Sequence, residues 1–437
     1  MKTPKTITAI EATKLVKSND TIVIGMAGAE PRLFLAELHK RAGEISNVSI
    51  TNCLPFENAE FFVNPIYKSS FSVDSWFYGP SLRKASKNGN ISFIPNHLHL
   101  AGRKRFEHAK PNLFVGISTL PDKHGYVSLS LSNVYEKEAI ALADIVIIEV
   151  NPNLPRTFGD LEVHVSDIDY IVEANYPAPT IPDAIPNEKD IKIGKYIADL
   201  IEDGSSIQLG IGGIPNAVAQ QLLHKKDLGI HTEMLTTGFM HLIKSGAANG
   251  KKKNTHIGKH VCCFALGTQE LYDFIDNNPS VQILNGNYVN DPHIIGLNDK
   301  QISINTTIEV DLTGQCASES IGYKQFSGTG GQVDTAVGAQ NSKGGKSFIT
   351  LYSTTMVKNH ETGEREEISK IVPFLKPGAA VTLSRSDVDY VVTEYGCVCL
   401  RGTSVRERVL LLISIAHPKF REELTKEAIN LGYITGV

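Results

Sequence analysis

Two glycine-rich turns and one glutamate are the residues here whose types and spacing could do chemistry. Gly210-Ile211-Gly212-Gly213-Ile214-Pro215 stands between an apolar run, Ser206–Leu209, and a helical stretch beginning at Ala217. Glu233 follows at the end of the next apolar run. A strand that turns sharply into a helix leaves unpaired N–H groups and the positive end of a dipole facing outward. Such a turn can hold a phosphate or a developing oxyanion, and a carboxylate beside it can perform acyl chemistry. The spacing Gly210-x-Gly212 also opens the dinucleotide-binding fingerprint, but Pro215 stands where the third glycine belongs. From the loop alone a nicotinamide-dependent oxidoreductase, a purely structural turn and a cradle for another phosphate-bearing ligand or an oxyanion all stay open.

Glu233 sits between Thr232 and Met234-Leu235, before the small-residue break Thr236-Thr237-Gly238. An isolated glutamate is usually a surface residue. In parallel α/β folds, however, ligands lie beyond the carboxyl ends of strands, where both Glu233 and the glycine turn would fall. A second cluster, Gly328-Thr329-Gly330-Gly331, follows a polar–apolar alternation from Asn305 to Glu319. It can bring another backbone amide to a shared site, or be an ordinary strand and turn. Ser342–Ser347 places Lys343 and Lys346 beside glycines, as a phosphate site or a hairpin tip.

Short β-branched runs alternating with helical segments must position these residues. Ile145–Val150, Phe348–Leu351 and Ala380–Leu383 read as strands, and Pro31–Arg41, Ala217–Leu223, Ser404–Ala416 and Lys419–Asn430 as helices. Thr8/Glu11 and Ser404/Glu407 have the spacing of capping boxes. The alternation predicts an α/β fold of largely parallel open sheets covered by helices. The pattern also repeats. Thr21-Ile-Val-Ile-Gly25 with Pro31 matches Ser206-Ile-Gln-Leu-Gly210 with Pro215, and Ser166–Val172 matches Ser386–Val392. Both pairs in the same order argue for a duplicated domain. The proline-rich stretch Tyr176–Pro186 predicts an exposed connection between the copies, giving domains 1–185 and 186–437.

At 437 residues the chain is too long for one compact core. A net charge of −4 leaves no excess of positive charge to attract nucleic acid or anionic membrane. The basic runs Arg103–Arg105 and Lys251–Lys253 read as solvated loops. No run of apolar residues reaches the roughly 20 that a membrane span requires, and the amino terminus has no signal-peptide pattern. Cys53, Cys262, Cys263, Cys316, Cys397 and Cys399 fit neither a disulfide framework nor zinc spacing. They read as reduced, mostly buried thiols of a cytoplasmic protein without a metal.

Taken together, these stretches resemble the acetyl-CoA hydrolase/transferase family, closest to its 4-hydroxybutyrate and butyrate:acetyl-CoA CoA-transferase branch. The resemblance rests on Gly210–Val218, Thr232–Met234, Ser303–Ser320, Ser327–Asp334, Ser342–Ser347 and Val388–Gly402, with Gly125–Ser128 and Asn151–Thr157 in the first half. It implies two tandem NagB/RpiA-like CoA-transferase domains with the active site between them, and no tightly bound cofactor. Coenzyme A and acyl-CoA are then substrates, exchanged with short-chain carboxylates. By the same resemblance Glu233 matches the glutamate that becomes a glutamyl-CoA thioester, and Gly210, Ile211, Gly212, Gly213 and Ile214 match the coenzyme A-binding segment. The Ile214 and Gly331 amides match an oxyanion hole, Lys343 a further coenzyme A contact, and Asn290 and Glu394 auxiliary polar residues. An acyl-CoA hydrolase on the same scaffold and a non-catalytic sensing module are the alternatives, and a homodimer is one option for the assembly.

Overall fold

The computed structural model describes residues 3–358 and 363–435. Its frame is two parallel sheets. The first runs, edge to edge, Lys5–Thr6, Tyr170–Glu173, Ile145–Val150, Leu113–Ser118, Thr21–Ile24, Val48–Asn52, Phe71–Ser75 and Ile91–Phe93. The second runs Gly396–Cys399, Tyr390–Thr393, Lys346–Thr350, Gln301–Thr306, Ser206–Leu209, Gly229–His231, His260–Cys262, Val281–Ile283 and Phe158–Gly159. All neighbours are parallel except Gly396–Cys399, which folds back antiparallel on Tyr390–Thr393. Central strands such as Leu113–Ser118 and Ser206–Leu209 are buried at every residue, as expected where helices cover both faces.

The repeat seen in the sequence is a repeat in space. Seven strands of each half, from Tyr170–Glu173 to Ile91–Phe93 and from Tyr390–Thr393 to Val281–Ile283, follow the same order of chain connection. The matched Ser-Asp segments also do the same work. Asp169 accepts a hydrogen bond from Val146 N–H at 2.9 Å, and Asp389 accepts one from Ser347 N–H at 3.1 Å. Each carboxylate thereby pins the start of the neighbouring strand.

Both capping boxes form at Thr8 and Ser404, and a third, Asn187 with Asp190, opens the helix Glu188–Ala198. Not every expectation holds. Ala380–Leu383 is not a strand: Leu383 makes one bridge, to Cys316, and the segment otherwise runs as loop. Tyr176–Pro186 lacks regular structure and is mostly exposed or half-buried, as expected of a connection, but it is anchored at points along its length. Ala178 and Pro179 are buried, and Asp183 and Ala184 accept bonds from the Asn216 amide at 3.1 and 2.8 Å. Lys253 is not solvated; it is 3% exposed and donates to Ile230 O and Lys259 O at 2.9 and 3.0 Å.

The halves are also interleaved. Phe158–Gly159 leaves the first half to extend the second sheet beside Val281–Ile283, where a Cβ on Gly159 would overlap the Ile283 carbonyl. One hydrophobic cluster runs across both halves, joining Val23, Trp76 and Phe114 to Ile214, Met234 and Phe264.

Candidate active site

In the second sheet the order of strand addition reverses between the parallel neighbours Ser206–Leu209 and Gln301–Thr306. Such a switch point opens a crevice at the carboxyl ends of the strands. Gly210 leaves the first of these strands and Asn305-Thr306 ends the second. Together with Gln208, Phe77 and the turn Ser327–Gln332 they line a cavity of about 190 Å³. Glu233, beyond the strand Gly229–His231, reaches into that cavity.

The Glu233 carboxylate is held from two sides. Asn290 Nδ2 donates to Oε2 at 2.8 Å, and the Gly331 amide faces the same group. Asn290 caps the short helix Gly286–Val289 and is fully buried; its Oδ1 accepts from Cys263 Sγ at 3.6 Å. Gly331 precedes the helix Gln332–Asn341, and a Cβ there would overlap both Glu233 Oε2 and Asn290 Nδ2. Glycine is required because backbone and carboxylate meet where a side chain would begin. Burial pushes the Glu233 carboxyl up to about 7. Asn290 and Gly331 favour the ionised form against that trend, whereas the charge of Asp334 adds to it.

The glycine turn borders two further cavities. One of about 240 Å³ is lined by Ile211–Pro215, Asp190, Tyr352 and Lys370, and shares Thr306 with the Glu233 cavity. The other, of about 280 Å³, lies between Ile211-Gly212 and the proline-rich stretch Ile181–Ala184. Ile211 and Gly212 line both of these, so the three cavities lie side by side along the carboxyl edge. Gly213 and Ile214 open the helix Gly213–Gln221, so their amides have no partner within it. Gly212 supports the turn at φ 116°, a backbone that other residues adopt only under strain.

The structure thus brings Glu233, Asn290 and Gly331 into contact and sets Gly210 in the same cavity, with Ile214 in the next. Glu394 lies farther along the same edge, where it takes Ser353 N–H and Oγ at 2.9 Å each and Lys189 Nζ at 3.0 Å. Burial works against its charge, but Ser353 and Lys189 outweigh it and hold the carboxyl below its ordinary range. Lys343 is not brought to the site. It precedes the strand Lys346–Thr350 and lies exposed at the amino edge, opposite Glu233. Among the described residues no group of histidine, cysteine, aspartate and glutamate could hold a metal ion.

The first half contains a closed counterpart. Thr21 pairs with Ser49 as Ser206 pairs with Gly229, and the same count onward leads to Cys53 and to Glu233. The two face each other across the halves: burial and the charge of Glu233 push the Cys53 thiol up. The turn after Gly25 is collapsed into a tight helical turn, Ala27–Ala29. Its Met26 amide donates to the Glu136 carboxylate at 2.9 Å, and that carboxylate also takes Ser132 Oγ and Tyr135 N–H. The anion place of the first half is filled by the chain itself.

Sequence missed Asp334 and Cys263, which lie beside Glu233 and Asn290, and His99, which binds Asp334. Only the His97-x-His99 spacing and the paired cysteines offered any signal. Among the described residues no helix is long and apolar enough to cross a membrane.

Comparison with known proteins places the whole chain among known enzymes. The acetyl-CoA hydrolase/transferase N-terminal domain matches residues 3–182, and its C-terminal domain matches 267–428. A succinyl-CoA:cyclohexane-1-carboxylate CoA transferase of Geobacter metallireducens is 45% identical over 98% of this chain and 96% of its own. A 4-hydroxybutyrate coenzyme A transferase of Clostridium kluyveri is 42% identical over 97% of each chain. The crystal structure of RipA from Yersinia pestis superposes with a TM-score of 0.91 at 34% identity, covering 98% of each chain.

Proposed function

This chain belongs to the acetyl-CoA hydrolase/transferase family and is a CoA-transferase, and on that footing we propose that it moves coenzyme A between a short-chain acyl-CoA and a carboxylate through a thioester on Glu233. One observation carries the reading. A partly buried carboxyl, poised near neutrality, sits in a cavity at the switch point with a side-chain amide and a backbone amide already against it.

In this scheme ionised Glu233 attacks the acyl-CoA carbonyl, the C–S bond breaks, and coenzyme A leaves as the thiolate, giving a mixed anhydride. The thiolate then attacks the glutamyl carbonyl and displaces the first carboxylate. A second carboxylate attacks the resulting glutamyl-CoA thioester, re-forming an anhydride and free thiolate. The thiolate takes the new acyl group and returns Glu233 as a carboxylate. One thioester is exchanged for another of nearly equal energy, so the reaction needs no external energy source.

Each addition forms a tetrahedral oxyanion. Gly331 N–H, already directed at the carboxyl, and Ile214 N–H, unpaired at its helix start, are the proposed donors. Gly210–Ile214 and the cavities beside it would take the coenzyme A chain, whose remote binding energy helps desolvate the reacting groups. Glu394 would act from its place by fixing Ser353, the neighbour of Tyr352 in the cavity lining. The family relatives point to 4-hydroxybutyrate, butyrate, acetate or succinate as the exchanging acids. Incubation with acyl-CoA, borohydride reduction and peptide mass spectrometry test the scheme: a reduced Glu233 is expected, and an unmodified Glu233 in a turning-over enzyme would falsify it.

A further inference from the structure

The Gly331 turn belongs to the second half but is held from the first. Tyr78 N–H donates to Ser327 O and Leu98 N–H to Gly330 O, each at 3.2 Å. One residue on, His99 makes a two-point contact with Asp334, in the first turn of the helix that Gly331 precedes. The His99 N–H reaches Oδ2 at 3.1 Å, and ring Nδ1 lies 2.8 Å from Oδ1. Asp334 is 1% exposed, and its charge acts on Glu233. The acyl chemistry above gives neither residue a part.

We infer that the His99–Asp334 pair is a positioning device for the reacting glutamate: it fixes the Gly331 amide against Glu233 and, with the imidazole protonated, masks the Asp334 charge from it. The inference rests on Glu233 being the nucleophile. Glu233 is faced by Asn290, the Gly331 amide and Asp334, and it acts on the thiols of Cys53 and Cys263, with Glu136 behind them. His99 is faced by Asp334, Asp291, Lys104 and the ring of His97, stacked at 6.2 Å. Burial pushes the imidazole down, but Asp334 and Asp291 outweigh it and hold the ring above its ordinary value. Both carboxylates thereby favour the cationic ring beside Asp334. The Asp334 charge disfavours ionised Glu233. Losing the cation that offsets it must raise the Glu233 pKa, and losing Asp334 must lower it.

The test is the pH dependence of kcat/KM for acyl-CoA in the intact enzyme and in H99N and D334N. Asparagine keeps a donor near the Nδ1 position without a charge. In H99N the acid limb should move up by about half a pH unit, a roughly threefold loss on that limb with the plateau largely kept. In D334N it should move down. Shifts in the same direction, or a uniform rate loss with unmoved limbs, overturn the inference. Where D334N does not fold, an unmoved limb in H99N alone overturns it. The Glu233 adduct is measured on the same wild-type protein. Its absence sinks the nucleophile assignment and this inference with it, while its presence with unmoved limbs sinks only the His99–Asp334 role.

Discussion

Gly331 illustrates how little room the Glu233 carboxylate has. A methyl group there would stand where Glu233 Oε2 and Asn290 Nδ2 now lie. Gly331→Ala should lower kcat by roughly 10²–10³-fold, the range associated with losing one oxyanion donor, while thermal unfolding moves little. Glu233→Ala should abolish exchange altogether in a protein whose circular dichroism and melting are preserved. Because burial pushes the Glu233 carboxyl up to about 7 and the proposed attack needs it ionised, the acyl-CoA pH–rate profile should rise through that region. Asn290→Ala removes a bond that favours the ionised form and should push the rise to higher pH. Stability has its own pH signature. Burial lifts Glu30 to about 8 and Glu149 to about 7, from 4.5 when unfolded. The folded chain therefore holds protons that the unfolded chain has released. Their stabilising contribution is complete below pH 4.5 and is lost as pH rises through 7 to 8. Glu30→Gln should flatten that decline in urea-unfolding curves recorded across the window.

Elements explain what could be read in advance. Gly210–Ile214 and Glu233 were legible because both signals are local: apolar runs that end in glycine or a polar break must deliver those residues to a strand's carboxyl end. Lys343 shows where locality misleads. Lysines beside glycines suggest an anion site, but a loop leading from a helix into a strand opens at the amino edge of a parallel sheet. Asn290 was legible only through family resemblance, since nothing in Val289-Asn290-Asp291 marks it locally. His99 and Asp334 were beyond reach, being 235 residues apart in the chain and joined only by the seam. That seam has little slack: a Cβ on Gly328 would overlap the Trp76 carbonyl and crowd Phe77. Gly328→Ala should lower both melting temperature and kcat, because it pries away the turn that carries Gly331.

At the scale of the whole molecule, the sequence repeats became two sheets that share one order over seven strands. Across the expected division at 185/186, Phe158–Gly159 crosses to the second sheet and one core spans both halves. Residues 1–185 expressed alone should lack a cooperative melting transition. Coenzyme A release from acyl-CoA should depend on an added carboxylate, and release that proceeds equally without one would mark water as the acceptor. The first half has placed its own Glu136 on the Met26 amide and a thiol where its twin has a carboxylate. Duplication has therefore not doubled capacity. Saturating acyl-CoA should yield a single covalent adduct per polypeptide, so the stoichiometry of labelling counts working copies directly.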